Sequence, residues 1–238
     1  MIHLYHCINA RSLRPLWTLE EMRLPYELTV LPFPPRALAP EYKQLNPLGT
    51  IPLLLDGDTR MTESAAICHY LTTRHGPSPL AVAVDEPDYG AFLNWTHFGE
   101  ATLTFPQTLV LRYARFEPKE RRQPQVAQDY AQWFLARLRA IEAVLADGRE
   151  FLCAQRFTVA DISVGYALLL GTVLKLDEQY HPNVAAYWQR LGQREGYARA
   201  AGAEDGHPAP GPGDRRGAGH AAVASLSNGP LLSTRIAR

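Results

Sequence analysis

One run of the sequence, residues 49–70, brings together residues that can hold a peptide. Pro52 stands where a short apolar strand begins, and a cis bond before it would turn the backbone groups of Ile51 outward, where an extended peptide can pair with them. Ser64 begins a helix, whose free amides and positive dipole end suit a carboxylate, and the adjacent Glu63 can receive an ammonium. Together these residues can hold a peptide backbone, a carboxylate and an amine, which are the features of a γ-glutamyl peptide.

The elements that position these residues follow from hydrophobic periodicity. Residues 53–55 form an apolar strand, the Asp-Gly turn at 56–58 is typical of a hairpin, and residues 59–62 return as a second strand. Upstream, a strand at 2–5, a helix and a strand at 26–31 read as a βαβ unit. A proline-rich connection at 32–40 joins the two parts. The predicted order is βαβ-α-ββα, which is the thioredoxin-like order.

The chain changes character after a linker at residues 77–87. Helices are predicted over 88–113, where Pro106 should kink or split the helix, and over 121–147, 159–174 and 184–194. Thr158 and Asp161 form a capping-box variant before a helix that is apolar nearly all round. The fold class is therefore α+β, with a thioredoxin-like domain at 1–76 and an all-helical domain at 88–202. Alanine, glycine, proline and arginine dominate residues 203–238, which predicts a disordered tail.

Composition narrows the function class. Lys+Arg and Asp+Glu both number 24, and this zero formal net charge argues against non-specific binding to nucleic acid or to an anionic membrane surface. Three cysteines are not a disulfide framework, so thiols in a reducing compartment are expected. No signal peptide is visible, and the longest apolar run, at 164–174, is shorter than the ~20 residues that span a bilayer. The chain is predicted to be soluble and cytoplasmic.

Two motifs carry a resemblance to a known family. Asn-Pro-Leu-Gly-Thr-Ile-Pro at 46–52, followed by Thr-Glu-Ser-Ala-Ala-Ile at 62–67, resembles the glutathione-binding half of the cytosolic glutathione transferases. In that family the proline before the third strand is cis, and the Glu-Ser pair holds the γ-glutamyl end of glutathione. The resemblance covers residues 1–201. It implies glutathione as co-substrate, an apolar electrophile held by the helical domain, a homodimer and a role in detoxification.

The loop after the first strand must supply the group that favours the glutathione thiolate, because this loop faces the peptide held by Ile51. A donor aimed at the sulfur near a helix N-terminus lowers the pKa of a thiol from about 8.5. The loop offers Cys7, Asn9, Arg11 and Ser12. Family classes use tyrosine, serine or cysteine here, and the alignment does not decide among these residues. Cys7 is the first choice, either as an S–H donor or through a mixed disulfide.

Further contacts are assigned with less support from the sequence. Arg36, on the proline-rich connection, is the candidate for the glycyl end of glutathione, and Arg11 can help electrostatically or bind a carboxylate. Gly49 occupies a place where some classes of the family carry a histidine that reaches the peptide. Aromatic residues on the first long helix are candidates for the electrophile pocket, although core or dimer packing explains them more readily: Trp95, Phe98, Tyr113 and Phe116. No metal site is predicted, since Cys68-His69 has no second pair at ligand spacing.

Several functions compete. The leading hypothesis is glutathione transfer to an apolar electrophile, with catalysis from thiolate stabilisation and proximity. The second is a glutathione-dependent thiol–disulfide oxidoreductase or peroxidase that uses Cys7. An isomerase with glutathione as cofactor ranks lower, because the loop lacks the expected paired serines and cysteine. A non-catalytic, transferase-like binding module is the fourth, and the intact motifs at Ile51-Pro52 and Glu63-Ser64 argue against it.

Overall fold

The computed structural model describes residues 1–205 of the chain. Its first part is a small mixed α/β unit, and the bounds of its strands and main helices follow the predicted order. These elements are β1 (Ile2–His6), α1 (Leu13–Met22), β2 (Tyr26–Val30), α2 (Pro35–Leu38), a 3₁₀ turn (Pro40–Gln44), β3 (Leu53–Asp56), β4 (Thr59–Met61) and α3 (Ser64–Arg74).

The four strands form one sheet in the order β2-β1-β3-β4. β1 runs parallel to β2 and antiparallel to β3, so that Leu4 lies opposite both Leu28 and Leu54. Leu4 and Leu54 are fully buried and pack with Leu16 of α1 and Ile67 of α3. This is the βαβ unit followed by a hairpin and a helix that the sequence predicts, and the predicted fold class is confirmed.

In the second part, from Tyr89 to Asp205, every regular element is a helix or a helical turn. Its elements are α4 (Tyr89–His97), a first π-helical segment (Phe98–Thr104), α5 (Phe105–Leu111), a second π-helical segment (Arg112–Phe116), a 3₁₀ turn (Lys119–Arg121), α6 (Pro124–Leu145), α7 (Val159–Val173), a 3₁₀ turn (Asp177–Gln179), α8 (Pro182–Gly192) and α9 (Glu195–Asp205). Among the described helices, none is long and apolar enough to cross a bilayer.

α7 forms the centre of the helical part, as its apolar sequence predicts. Nearly all of its residues are buried, and the capping box at its start is complete. The Thr158 side chain accepts from the Ala160 amide, and the Asp161 carboxylate accepts from the Thr158 amide at 2.8 Å. α7 also joins the two parts of the chain, because Gly165 approaches Trp17 of α1 so closely that a Cβ there would lie 3.0 Å from its ring.

Three expectations need comment beside the structure. The helix predicted over 88–113 is divided into α4 and α5 by a π-helical segment, and Pro106 falls in the first turn of α5, where its missing amide donor costs least. Residues 203–205 continue α9 instead of beginning a tail, while the rest of the predicted disordered tail lies outside the described residues. The predicted domain boundaries at residues 76/77 and 87/88 stay predictions.

Candidate functional site

A cleft of about 280 Å³ lies between the sheet-based part and the helical part. One wall comes from three loops of the first part, and the other comes from α5, the second π-helical segment and α7. The lining residues are Ile8, Asn9, Ala10, Arg11, Phe33, Pro35, Arg36, Gly49, Thr50, Ile51, Thr108, Leu111, Phe116, Tyr166, Leu170 and Val173. The first wall is rich in backbone and cationic groups and the second is mostly apolar, so the cleft can hold a peptide next to an apolar molecule.

The loop after β1 carries four candidates for thiol activation, and two of them line the cleft. Asn9 and Arg11 line it, together with Ala10 between them. Asn9 has a φ of 55°, a left-handed conformation that asparagine tolerates better than most residues, and its carbonyl accepts from the Tyr166 hydroxyl at 3.3 Å. The helical part thus touches the loop directly at the point where it enters the cleft.

Cys7 and Ser12 do not line the cleft. The Ser12 hydroxyl accepts a hydrogen bond from the Cys7 amide at 3.1 Å, within the loop itself. Both residues are fully buried. It therefore caps no amide of α1, whose first residues have no side-chain cap. The Cys7 Sγ lies 3.8 Å from the Pro32 carbonyl, and burial raises the pKa of this thiol far above its usual range. The prediction that Cys7 activates the substrate thiol does not fit this position, because the loop turns Cys7 inward before it reaches the cleft.

The segment before β3 presents backbone at the cleft. The Thr50 carbonyl is occupied, accepting from the Tyr42 hydroxyl at 2.9 Å and the Asn46 amide at 2.8 Å. The next residue, Ile51, lines the cleft, and its peptide bond to Pro52 is cis. Within residues 1–205, no hydrogen bond of the Ile51 backbone to another backbone group occurs, so both of its polar groups can receive an extended peptide.

Arg36 stands at the same wall as this segment, exposed and with its Cβ against Gly49. Gly49 has a φ of 58°, and a Cβ there would meet Arg36 Cβ at 2.6 Å. A histidine at position 49 would therefore not fit this loop. The Arg36 Cα and Cβ fill the space into which such a side chain would begin.

The Glu63-Ser64 pair lies at the start of α3, with the Glu63 side chain exposed and Ser64 buried. The start of α3 has no side-chain cap. The Ser64 hydroxyl accepts from Arg14 Nη1 at 3.1 Å and lies 3.4 Å from a Glu100 carboxylate oxygen. The hydroxyl is thereby fixed at the start of α3, where backbone amides are free of helical partners.

A buried charge cluster underlies the site, and sequence reasoning missed it. The guanidinium of Arg14 is fully buried; it pairs with Glu100 and donates to the Thr104 hydroxyl at 2.7 Å. Glu100 also pairs with Arg11 at 2.7 Å, so one carboxylate holds two arginines. The only signal in the sequence was a charged residue on the apolar face of α1, three positions before Trp17.

One of the four predicted aromatic candidates lines the cleft, and the other three do not. Phe116 lines the cleft and packs on Phe33 across it, with ring centroids 5.6 Å apart. Trp95, Phe98 and Tyr113 do not line the cleft; they belong to the helical core or pack against it. In the described part of the chain, no group of three or more histidine, cysteine, aspartate or glutamate side chains is placed to hold a metal ion.

Comparisons with known proteins agree on one family. The family model for the N-terminal domain of glutathione S-transferase matches residues 10–74, and the model for the C-terminal domain matches residues 109–195. The two matches together make up more than half of the chain. They fall on the two parts that form the cleft.

Individual relatives carry the same name. Glutathione S-transferase 3 of Schizosaccharomyces pombe is 39% identical over 103 residues, which is 43% of this chain and 43% of that protein. The chain therefore matches less than half the length of this relative. Glutathione S-transferase GstA of Escherichia coli O157:H7 is 28% identical over 169 residues, covering 69% of this chain and 78% of that one.

Solved structures extend the likeness to the whole fold. A glutathione transferase of Methylococcus capsulatus superimposes with a TM-score of 0.75 at 25% identity, covering 87% of this chain and all of that one. A sphingomonad glutathione S-transferase complexed with glutathione gives a TM-score of 0.73 at 25% identity, covering 85% of this chain and 98% of that one.

Proposed function

Because this chain belongs to the glutathione S-transferase family, we propose that it joins the thiol of glutathione to an apolar electrophile. The observation that carries the proposal is the composition of the cleft. A peptide-binding backbone edge and two arginines form one wall, and Leu111, Leu170 and Val173 form the other. A thiol held between them faces an apolar surface at close range, which is the arrangement that proximity catalysis needs.

Each part of glutathione has a proposed counterpart in the sheet-based part of the chain: Ile51 and Arg36 line the cleft, whereas Glu63 and Ser64 lie outside its lining. The backbone of Ile51 pairs with the cysteinyl residue, as an added strand would. Glu63 receives the γ-glutamyl ammonium, and the amides at the start of α3 with Ser64 receive its carboxylate. Arg36, at the rim of the cleft, pairs with the glycyl carboxylate. The roles of Ile51 and Arg36 are supported by their places in the cleft, and those of Glu63 and Ser64 rest on the sequence motif.

The chemistry requires that the thiol be ionised near neutral pH. Among the four loop candidates, Asn9 and Arg11 line the cleft. An amide N–H from Asn9 and the charge of Arg11 both favour the thiolate over the thiol. The thiolate then attacks the electrophilic carbon, a carbon–sulfur bond forms, and a leaving group such as halide departs with its electron pair.

The thiol–disulfide alternative is not favoured by the position of Cys7. A buried thiol whose pKa is raised is a poor nucleophile. The proposal also includes a homodimer and a cytoplasmic, detoxifying role, which rest on family membership. Light scattering on the purified chain tests the dimer.

The test of the proposed function is calorimetric titration of glutathione into the wild type and Glu63→Ala. We expect the wild type to bind and Kd to rise about tenfold in the variant, which corresponds to about 1.4 kcal/mol for the lost ammonium contact. Glu178→Ala, an exposed glutamate of the helical part, is the matched control and should leave Kd unchanged. Absence of binding to the wild type would refute the glutathione-transferase proposal and favour the binding-module alternative.

The assignment of Asn9 predicts a shift in the pH–rate profile. Asn9→Gly removes the amide but tolerates the left-handed backbone. We expect the pKa of the bound thiol to rise by about one unit, so kcat/KM at pH 7 falls about tenfold and recovers at higher pH. Cys7→Ala is the control and should keep the wild-type profile. An unchanged profile in Asn9→Gly contradicts the assignment, and loss of activity in Cys7→Ala favours disulfide chemistry.

A further inference from the structure

Tyr166, on α7, connects the helical part of the chain to the loop after β1. Its hydroxyl donates to the Asn9 carbonyl at 3.3 Å, although the two residues are 157 positions apart in the sequence. Tyr166 is buried, with 3% of its surface exposed, and it lines the cleft together with Asn9. The contact therefore joins a buried residue of the second part to a proposed thiol-activating residue of the first.

The backbone of Asn9 adopts a conformation that needs support. Its φ of 55° lies in the left-handed region, which costs free energy for a residue other than glycine and persists where surrounding contacts hold it. Both polar groups of the peptide that follows Asn9 are held: the Ala10 amide donates to the Cys7 carbonyl at 3.1 Å, and the Asn9 carbonyl accepts from Tyr166. Since the rotamers open to a side chain depend on φ and ψ, these contacts also restrict the direction of the Asn9 amide.

The Tyr166 ring is itself held in place. The Arg14 guanidinium lies 4.4 Å from the ring centroid, which is a cation–π contact. Arg14 also donates to the Ser163 carbonyl of α7 from Nε and from Nη2, at 3.2 Å each, so the ring and the guanidinium are fixed to the same helix. Because Arg14 is fully buried and pairs with Glu100, the Tyr166 hydroxyl has a rigid support from which to hold a loop.

The position of the donor decides how strongly a thiol is activated. A hydrogen bond weakens steeply when its distance or angle departs from the favourable range. An amide N–H therefore lowers the pKa of the bound thiol only while it points at the sulfur. A loop that leaves this conformation for part of the time stabilises the thiolate less.

We propose that Tyr166 is a positioning residue for thiol activation, whose hydroxyl holds Asn9 in the conformation that aims its side-chain amide at the glutathione sulfur. This inference rests on the proposed function and on the role that it gives to Asn9. Tyr166 acts through Asn9 and takes no proton from the substrate, since the thiol proton passes to solvent. Activation of the thiol in the sheet-based part then depends on the packing of α7.

Tyr166→Phe tests the role of the hydroxyl, because it keeps the ring on Arg14. The ultraviolet absorbance of the thiolate at saturating glutathione, followed against pH, measures the pKa of the bound thiol, and kcat/KM is measured with 1-chloro-2,4-dinitrobenzene. We expect this pKa to rise by about half a unit, so that kcat/KM falls about threefold on the acid side of the profile and returns to the wild-type value at high pH.

Tyr180→Phe is the matched control. The Tyr180 hydroxyl also donates to a carbonyl of α7, that of Leu168 at 2.8 Å, but Tyr180 lies outside the lining of the cleft. This variant loses a comparable hydrogen bond and should keep the wild-type pH profile. A shift in Tyr180→Phe as large as that in Tyr166→Phe would mean that any loosening of α7 has the same effect, and it would overturn the positioning role.

The double variant of Asn9→Gly with Tyr166→Phe shows whether the hydroxyl acts through Asn9. No side-chain amide remains to be positioned in the Asn9→Gly background, so the pKa of the bound thiol should equal that of Asn9→Gly alone. A further rise in the double variant would overturn the inference, because the hydroxyl would then act on the sulfur by another route. A shift in Tyr166→Phe with none in Asn9→Gly would overturn it as well.

Failure of this inference differs from failure of the proposed function. If the wild type does not bind glutathione, the proposed function is overturned and the positioning role of Tyr166 falls with it. If the wild type binds and conjugates glutathione while Tyr166→Phe keeps the wild-type profile, the positioning role alone is overturned. A rise in the pKa of the bound thiol that is confined to Tyr166→Phe and Asn9→Gly, and is not additive between them, supports it.

Discussion

Replacement of Arg14 by methionine is expected to lower the free energy of unfolding by about 3–5 kcal/mol, because a buried charged group that is removed leaves its partners unpaired. The Arg14 guanidinium donates to the Ser163 carbonyl and to the Gly99 carbonyl, each at 3.2 Å. It also donates to the Thr104 hydroxyl and pairs with Glu100. Methionine fills similar volume but satisfies none of these acceptors. Equilibrium unfolding in urea measures the loss.

The matched control and the double variant decide whether unpaired groups cause this loss. Arg112→Met removes an exposed arginine with one ion pair, and the free energy of unfolding should change far less. In Arg14→Met combined with Glu100→Met the carboxylate is gone as well, so part of the stability should return. Equal midpoints for Arg14→Met and Arg112→Met would contradict the role of the buried cluster. No recovery in the double variant would point to lost packing instead.

Asp161→Ala is expected to lower the free energy of unfolding by about 3–5 kcal/mol, since several buried donors lose their acceptor together. The carboxylate accepts from the Leu152 amide at 3.0 Å, the Thr158 amide at 2.8 Å and the Tyr187 hydroxyl at 2.7 Å. It is fully buried, and burial raises its pKa although these hydrogen bonds oppose the shift. The residue thus ties the start of α7 to the preceding loop and to α8. Thermal and urea unfolding measure the effect.

Thr158→Ala provides a graded comparison. It removes only one side of the capping box, and such changes typically cost about 1 kcal/mol. We expect Asp161→Ala to be clearly more destabilising than Thr158→Ala, with glutathione affinity unchanged in both wherever the protein remains folded. If the two variants had equal unfolding midpoints, the contacts to Leu152 and Tyr187 would contribute little to stability.

The fold was largely predictable because local patterns agree with the global architecture. The short apolar run at Leu53–Asp56 is bounded by the Asp-Gly turn, which favours a hairpin strand, and the long apolar stretch of α7 favours a buried helix. α9 escaped prediction because Glu195–Asp205 is rich in alanine and glycine and carries a weak apolar stripe. The π-helical segments also escaped it, since residue spacing does not distinguish a widened helix from an ordinary one.

The site was predictable only where backbone motifs build it. Ile51, which the motif around Pro52 singles out, lines the cleft, and so does Arg36, a candidate from the proline-rich connection. The choice within the first loop was not accessible, because the direction of the Cys7 side chain depends on the turn that Asn9 makes. Arg14 and Glu100 are 86 positions apart in the sequence, so no local pattern predicts that they pair.

The first π-helical segment requires a fixed number of residues between α4 and α5. A π-helical turn contains one residue more than an α-helical turn, so deleting a residue between Phe98 and Thr104 would let an ordinary α-helix continue to Pro106. Every side chain before the deletion would then rotate about the axis relative to those after it, and Glu100 and Thr104 could no longer both reach Arg14. A single-residue insertion or deletion in this segment would therefore separate Arg14 from its partners, whereas substitutions that spare Gly99, Glu100 and Thr104 would leave their spacing along the helix unchanged.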